Sequence, residues 1–154
     1  MVGRVPVLSV AMIMSATAAL AQEREWSWGT SETEAYLVFG VPESEDVGIS
    51  FWCTQGNGEV RVFIADANVR LAADIDTTIE FTANDKKFTV PARTMANELD
   101  ATTSAEGAVP AGDPVFPALQ GTDRFGVSVV GESQTFPSAG QDFANLIEAC
   151  KKSP

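Results

Sequence analysis

The chain has 154 residues and carries 10 Lys and Arg against 21 Asp and Glu, a formal net charge of −11 at pH 7. It contains no histidine, which excludes His-assisted nucleophiles, imidazole ligation of zinc or copper, and the usual proton shuttle near neutral pH. The acidic field repels nucleic acid and anionic lipid; it either attracts cationic partners or only keeps the chain dissolved.

The first 21 residues have the three parts of an export signal. Arg4 supplies the positive start, an apolar run extends from Val5 to Leu20, and Ala19-Leu20-Ala21 is a cleavage site of the A-x-A type. The run is shorter than the roughly 20 apolar residues that span a bilayer, and no later segment could cross a membrane. We therefore expect a single β-rich domain from residue 22 to 154, located in the periplasm or secreted, with 9 basic against 21 acidic side chains.

Most of this domain is predicted to form short β-strands separated by turn residues. Residues 35–41 are apolar on both faces and predict a strand flanked on both sides, and residues 47–54 and 59–67 predict a hairpin. With Asn57-Gly58 as a two-residue turn, Trp52 lies opposite Phe63 on the face away from Phe51.

The Trp52–Phe63 pair is a candidate binding face, since two aromatic side chains on the outer side of the sheet could form a platform for a ligand. The alternative is that the N-terminal segment with Trp26 and Trp28 covers the pair.

A second hairpin is predicted from residues 77–83 and 86–92, with Phe81 opposite Phe88, and a further strand at residues 102–109. Asp113-Pro114 is typical of a helix start, and this helix must be short because Gly121 stops it.

Residues 125–130 and 133–136 predict a third hairpin around a turn at Gly131-Glu132. A capping box at residues 138–141 would open a C-terminal helix that runs to Lys152. About eight strands and this helix predict a mainly β fold, either an antiparallel sandwich or a small barrel.

Cys53 and Cys150 are the two cysteines of the chain, and in an oxidising compartment such a pair usually forms a disulfide. Alternation places Cys53 on the inner face of its strand, and Phe143, Leu146 and Cys150 lie on one stripe of the terminal helix. A bond would therefore join the helix to the sheet. The alternative is two inert buried thiols.

The sequence contains no motif that predicts an enzyme, a cofactor or a metal site. Asp66, Asn68, Asp74 and Asp76 could hold calcium, but their spacing matches no EF-hand and solvated turns explain them. A G-x-S-x-G motif is absent, and among 21 acidic residues a chance carboxylate pair is no sign of a glycosidase.

The order of these features resembles that of small uncharacterised exported proteins of alphaproteobacteria. The motifs are Trp26-Ser27-Trp28, Phe51-Trp52-Cys53, the segment 113–119, the segment 127–131 and the helix 143–150 that ends in cysteine. The layout of the two cysteines is also similar to that of accessory proteins of type VI secretion. These resemblances imply export and carry no chemistry.

We therefore expect an exported, non-enzymatic binding module of the cell envelope. Its partner would be an envelope or extracellular protein, and in one version of this hypothesis that protein is cationic. Two alternatives stay open. One is an inhibitor of a cationic hydrolase such as lysozyme; the other is a small-ligand carrier that uses a barrel mouth or the Trp52–Phe63 face. A carboxylate-dependent hydrolase is a third hypothesis.

Overall fold

The structure is a computed structural model that describes residues 22–97 and 102–154, so the predicted export signal at residues 1–21 lies outside the described residues. The described chain forms nine strands and two helices: β1 (Glu25–Thr30), β2 (Glu34–Gly40), β3 (Val47–Thr54), β4 (Glu59–Ile64), β5 (Asp76–Ala83), β6 (Lys86–Asn97), β7 (Thr102–Pro110), α1 (Val115–Gln120), β8 (Arg124–Val129), β9 (Glu132–Pro137) and α2 (Gln141–Cys150).

All nine strands belong to one antiparallel sheet with the order β1-β2-β3-β4-β7-β6-β5-β8-β9. The sheet curls into a half-barrel, and α1 and α2 pack together on its inner side, where α2 also contacts β2, β3 and β4. The predicted mainly β fold with a C-terminal helix is confirmed. The architecture is a single curled sheet and not a pair of facing sheets.

The inside of the half-barrel is filled by aromatic side chains from the sheet and both helices. Phe51 of β3 lies at the centre, with its ring centroid 5.3 Å from that of Phe143, 6.2 Å from Phe81 and 6.3 Å from Phe116. All four side chains are at most 2% exposed. Because burying one such ring contributes about 1.5–3 kcal/mol, this cluster contributes several kcal/mol to stability.

The β3–β4 hairpin forms with a longer connection than predicted. Phe51 lies opposite Val62, and Trp52 lies opposite Arg61, so the predicted Trp52–Phe63 cross-strand pair is wrong. Residues 55–58 form the connection in place of a two-residue turn. The pairing is shifted by two residues, and because side chains alternate with a period of two, the predicted inner and outer faces are correct.

The turn of this hairpin is set by the end of α2. The amides of Gly56 and Gly58 donate hydrogen bonds to the carbonyl oxygens of Ala149 and Cys150, at 2.9 and 2.8 Å. Both glycines have positive φ, and a side chain at Gly56 would approach the Ser153 hydroxyl to 2.7 Å. The four-residue turn thus satisfies helix carbonyls that would otherwise have no partner.

The other two hairpins differ in how well their sequences predict them. Phe81 lies opposite Phe88 in β5–β6, as predicted. In β8–β9 the turn is Val130-Gly131, with Val129 opposite Glu132, so the predicted turn at Gly131-Glu132 is wrong by one position. Val130 therefore adopts a left-handed φ of 49°, which is uncommon for a β-branched residue.

The C-terminal helix begins and ends differently from the prediction. It spans Gln141–Cys150 and not a segment up to Lys152, and its N-cap is Gly140 with no side-chain cap hydrogen bond. The predicted capping box is therefore wrong: the Ser138 hydroxyl donates to the Leu119 carbonyl oxygen instead, at 2.6 Å. In α1, by contrast, Asp113 caps the first turn by accepting from the Val115 amide at 2.9 Å.

The two cysteines meet between the sheet and α2. Their sulfur atoms lie at the bonding distance of a disulfide, and the Cα atoms are 5.8 Å apart. Cys53 is 1% exposed and Cys150 is fully buried. The structure thus places the predicted crosslink between β3 and α2, inside the core.

Candidate functional site

The outer face of the half-barrel carries a row of five paired positions, one from each of five neighbouring strands, and two of them are aromatic. Cross-strand pairing brings Gly29 of β1 beside Tyr36 of β2, Tyr36 beside Trp52 of β3, Trp52 beside Arg61 of β4, and Arg61 beside Ala108 of β7. We call these five positions the aromatic row. Its two rings point to solvent because the alternate residues of the same strands fill the core.

Tyr36 covers the edge of the sheet. It is 42% exposed, and its ring lies over Gly29, where any side chain would collide with the tyrosine hydroxyl. An aromatic ring laid across an edge glycine is a known way to support that position of a strand. The glycine thus leaves room for Tyr36 to lie flat on the outer face.

Trp52 is already stacked against a cation. The guanidinium carbon of Arg61 lies 5.7 Å from the centroid of the Trp52 ring, within the range of a cation–π contact. Arg61 also pairs with Glu106. The Arg61 side chain is 55% exposed and that of Glu106 is 16% exposed, so this pair lies at the surface with its acid partly covered.

A second row lies next to the aromatic row. Val38 of β2 lies beside Ser50 of β3, Ser50 beside Phe63 of β4, Phe63 beside Glu106 of β7, and Glu106 beside Arg93 of β6. Phe63 is partly buried here. The structure thus brings both residues of the predicted binding face, Trp52 and Phe63, to the outer face, in adjacent rows and not opposite each other.

Two exposed carboxylates border the aromatic row on its other side. Glu34 precedes Tyr36 by two residues on β2, and Glu59 precedes Arg61 by two residues on β4, so each lies on the outer face. Neither glutamate forms an ion pair within residues 22–97 and 102–154. In contrast, Arg93 pairs with Asp76 at 3.0 Å.

The N-terminal tryptophans do not cover this face, which corrects that alternative. Trp26 and Trp28 belong to β1, a strand that the sequence pattern did not predict, and they lie beside Phe39 and Leu37 on the inner side. The Trp26 ring packs 5.7 Å from Phe143. The outer aromatic side chains therefore stay accessible to solvent.

The sequence reasoning missed four residues of this site: Tyr36, Arg61, Glu34 and Glu59. A signal for two of them was present, because Glu59 and Arg61 alternate with the apolar Val60 and Val62 and so share the side of Phe63. Tyr36 lies in a segment that is apolar on both faces, so its outward direction depends on pairing with β3.

A groove of about 210 Å³ lies between α1 and α2. Phe116, Pro117 and Ile147 line it, and the Glu148–Lys151 ion pair lies at its rim. Its volume is below the roughly 300–1,000 Å³ typical of ligand pockets. The groove therefore gives little support to a small-molecule site.

In the segment considered for calcium, Asn68 is buried, whereas Asp66, Asp74 and Asp76 are exposed. The Asn68 side chain donates to the Val129 carbonyl oxygen at 3.0 Å and accepts from the Arg70 amide at 3.0 Å. Asp74 and Asp76 both lie beside Arg93. Within the described ranges, no cluster of three or more Cys, Asp or Glu side chains is suited to a metal ion.

In the part that the structure describes, no helix combines the length and apolar character needed to cross a membrane. Comparisons with known proteins give no match, whether with protein-family models, with curated proteins or with solved structures.

Proposed function

We propose that this protein is an exported, non-enzymatic binding module of the cell envelope that holds a partner protein against the outer face of β2, β3 and β4. The observation that carries the proposal is the aromatic row. Tyr36 and Trp52 lie side by side on a sheet face that no other described element covers. Clustered aromatic side chains at a protein surface are typical of interaction sites.

Export is supported by the signal at residues 1–21 and by the paired cysteines, since disulfides persist in oxidising compartments such as the periplasm. The resemblance to exported proteins of alphaproteobacteria remains part of this proposal. A rigid frame also suits the function, because a crosslinked sheet presents the aromatic row without an ordering cost on binding.

The absence of catalysis is supported by where the carboxylates lie. No Asp or Glu belongs to the buried side chains of the described residues, whereas catalytic carboxylates are usually tuned by an apolar or enclosed environment. We prefer a module over a small-ligand carrier because Phe51, Phe81, Phe116 and Phe143 fill the half-barrel.

The proposal can be tested by photocrosslinking in intact cells. Benzoylphenylalanine is placed at Tyr36, on the aromatic row, and in a second strain at Thr135, an exposed outward residue of β9. We expect a discrete protein adduct from position 36 in the periplasmic fraction and none from position 135. Equal adducts from both positions, no adduct from position 36, or a cytoplasmic location would overturn the proposal.

A further inference from the structure

Two carboxylates beside the aromatic row have no ion-pair partner among the described residues. Arg61 pairs with Glu106 and Arg93 pairs with Asp76, so these four charges balance in pairs. Glu34 and Glu59 stay without an ion-pair partner in the described part of the chain. Both lie in the row that borders Tyr36 and Trp52, and so two unpaired carboxylates lie beside the two rings.

The spacing of these groups suits one extended cationic side chain. Residues two apart on a strand lie about 7 Å apart on the same face, so Glu34 stands about 7 Å from Tyr36. Glu59 stands at the same separation from Arg61, which itself lies beside Trp52. The rings offer negatively polarised faces, and the two carboxylates lie within reach of a charge held above the rings.

The chain itself shows that this surface accepts a guanidinium group. Arg61 stacks on Trp52 from the side of β4, and its charge is matched by Glu106. Tyr36 has no such internal cation on its ring within the described residues, and its 42% exposure leaves it open. The vacant part of the surface is therefore the Tyr36 side, next to Glu34.

We infer that the partner is a basic protein, and that it lays an arginine or lysine side chain across Tyr36, next to Trp52, with its charge between Glu34 and Glu59. This inference rests on the proposed function and names the chemistry of the partner. The excess of acidic residues over the whole chain also increases the rate at which a basic partner arrives at this face.

The test uses the processed protein and labelled peptides in fluorescence anisotropy at low salt. The probes are a fluorescein-labelled peptide of alternating arginine and glycine and its counterparts with lysine or glutamate in place of arginine. The double variant Glu34→Gln/Glu59→Gln is compared with Glu23→Gln/Glu45→Gln, which removes the same charge from exposed positions away from the row. Tyr36→Ser tests the ring, with its melting temperature measured as a folding check.

We expect the arginine and lysine peptides to bind and the glutamate peptide not to bind. Glu34→Gln/Glu59→Gln should weaken binding about fivefold, as expected for two exposed charge pairs, whereas the control variant should weaken it less than about twofold. Binding should decrease as salt screens the charges.

Equal losses in the face variant and the control variant would mean unspecific attraction and would overturn the inference. The inference would also be overturned if a neutral glycan such as chitotriose bound and the basic peptides did not. The same holds if light scattering showed a dimer that Tyr36→Ser dissociates. If basic peptides fail to bind while the position-36 adduct forms in cells, the inference is wrong and the proposed function stands. If the basic peptides fail to bind and the position-36 adduct also fails to form, both the inference and the proposed function are wrong.

Discussion

Removal of the Cys53–Cys150 crosslink should lower stability through the unfolded chain. The two residues are 97 positions apart, and the chain-entropy model assigns about 4.7 kcal/mol to closing a loop of this length. For the 133 residues from 22 to 154, an unfolding entropy of about 0.28 kcal/mol per kelvin converts that free energy to a decrease of about 17 °C in Tm.

The folded state itself should persist without the bond. Phe143 and Leu146 anchor α2 in the core with no exposed surface, and the amides of Gly56 and Gly58 bind its last carbonyl oxygens. We therefore expect Cys53→Ala/Cys150→Ala to retain the native far-UV circular dichroism spectrum at 25 °C and to unfold in one transition at a lower temperature.

The assay is thermal unfolding of the double variant beside the oxidised protein, together with thiol titration. The native oxidised protein should give no free thiol on incubation with dithiothreitol, because both sulfur atoms are buried, and two free thiols once urea is present. A decrease in Tm of less than about 5 °C, or loss of the α2 signal alone before the main transition, would refute the reasoning.

Three further predictions concern the loops and the sheet seam, and each is checked by urea unfolding. Val130→Asn should stabilise the protein by about 1 kcal/mol, because Asn tolerates the left-handed backbone (φ 49°) that a β-branched residue resists; an unchanged or lower midpoint would contradict this. Asn68→Ala should cost about 2 kcal/mol, because it leaves the buried carbonyl oxygen of Val129 without its donor; a cost near zero would be the adverse result. Trp26→Phe should cost at least about 1 kcal/mol, because it loses the indole donor to the Pro137 carbonyl oxygen at 2.9 Å and part of the ring packing; no loss would mean that this bond does not hold β1 to β9.

The sequence predicts elements well where the turn chemistry is purely local. Asn84 and Asp85 both adopt positive φ, as a two-residue hairpin turn requires, and the register of β5 and β6 follows directly. The short helix after Pro114 also follows from a local signal, and the strand predicted at residues 102–109 is observed as β7 (Thr102–Pro110). In these segments, no distant part of the chain competes with the preference of the turn residues.

The two registers that were predicted wrongly have different causes. In β3–β4, the terminal carbonyl oxygens of α2 recruit Gly56 and Gly58 as donors, and nothing in the local sequence shows that a helix ends there. In β8–β9, Asn68 binds the carbonyl oxygens of Val129 and Val130, which helps to fix the turn one residue earlier. Both shifts amount to two residues in pairing, so every side chain stays on its predicted face.

Strand β1 could not be predicted from its own residues. It has a charged start and two tryptophans, without the run of β-branched residues that marks a strand. Its place follows from long-range contacts: Trp26 packs 5.2 Å from Phe39 and 6.4 Å from Phe125, on strands from both halves of the sheet. Because β1 places Trp26 and Trp28 on the inner side of the sheet, these tryptophans do not cover Trp52 and Phe63, which was one of the two alternatives from the sequence.

The architecture is compatible with the role proposed for the aromatic row. In a half-barrel whose helices lie on the inner side, the core is complete without the outer face, and Phe51 and its neighbours already bury the large apolar side chains. Tyr36 and Trp52 lie beside two glutamates without an ion-pair partner among the described residues, and under the proposed function a basic partner would satisfy both the rings and the charges.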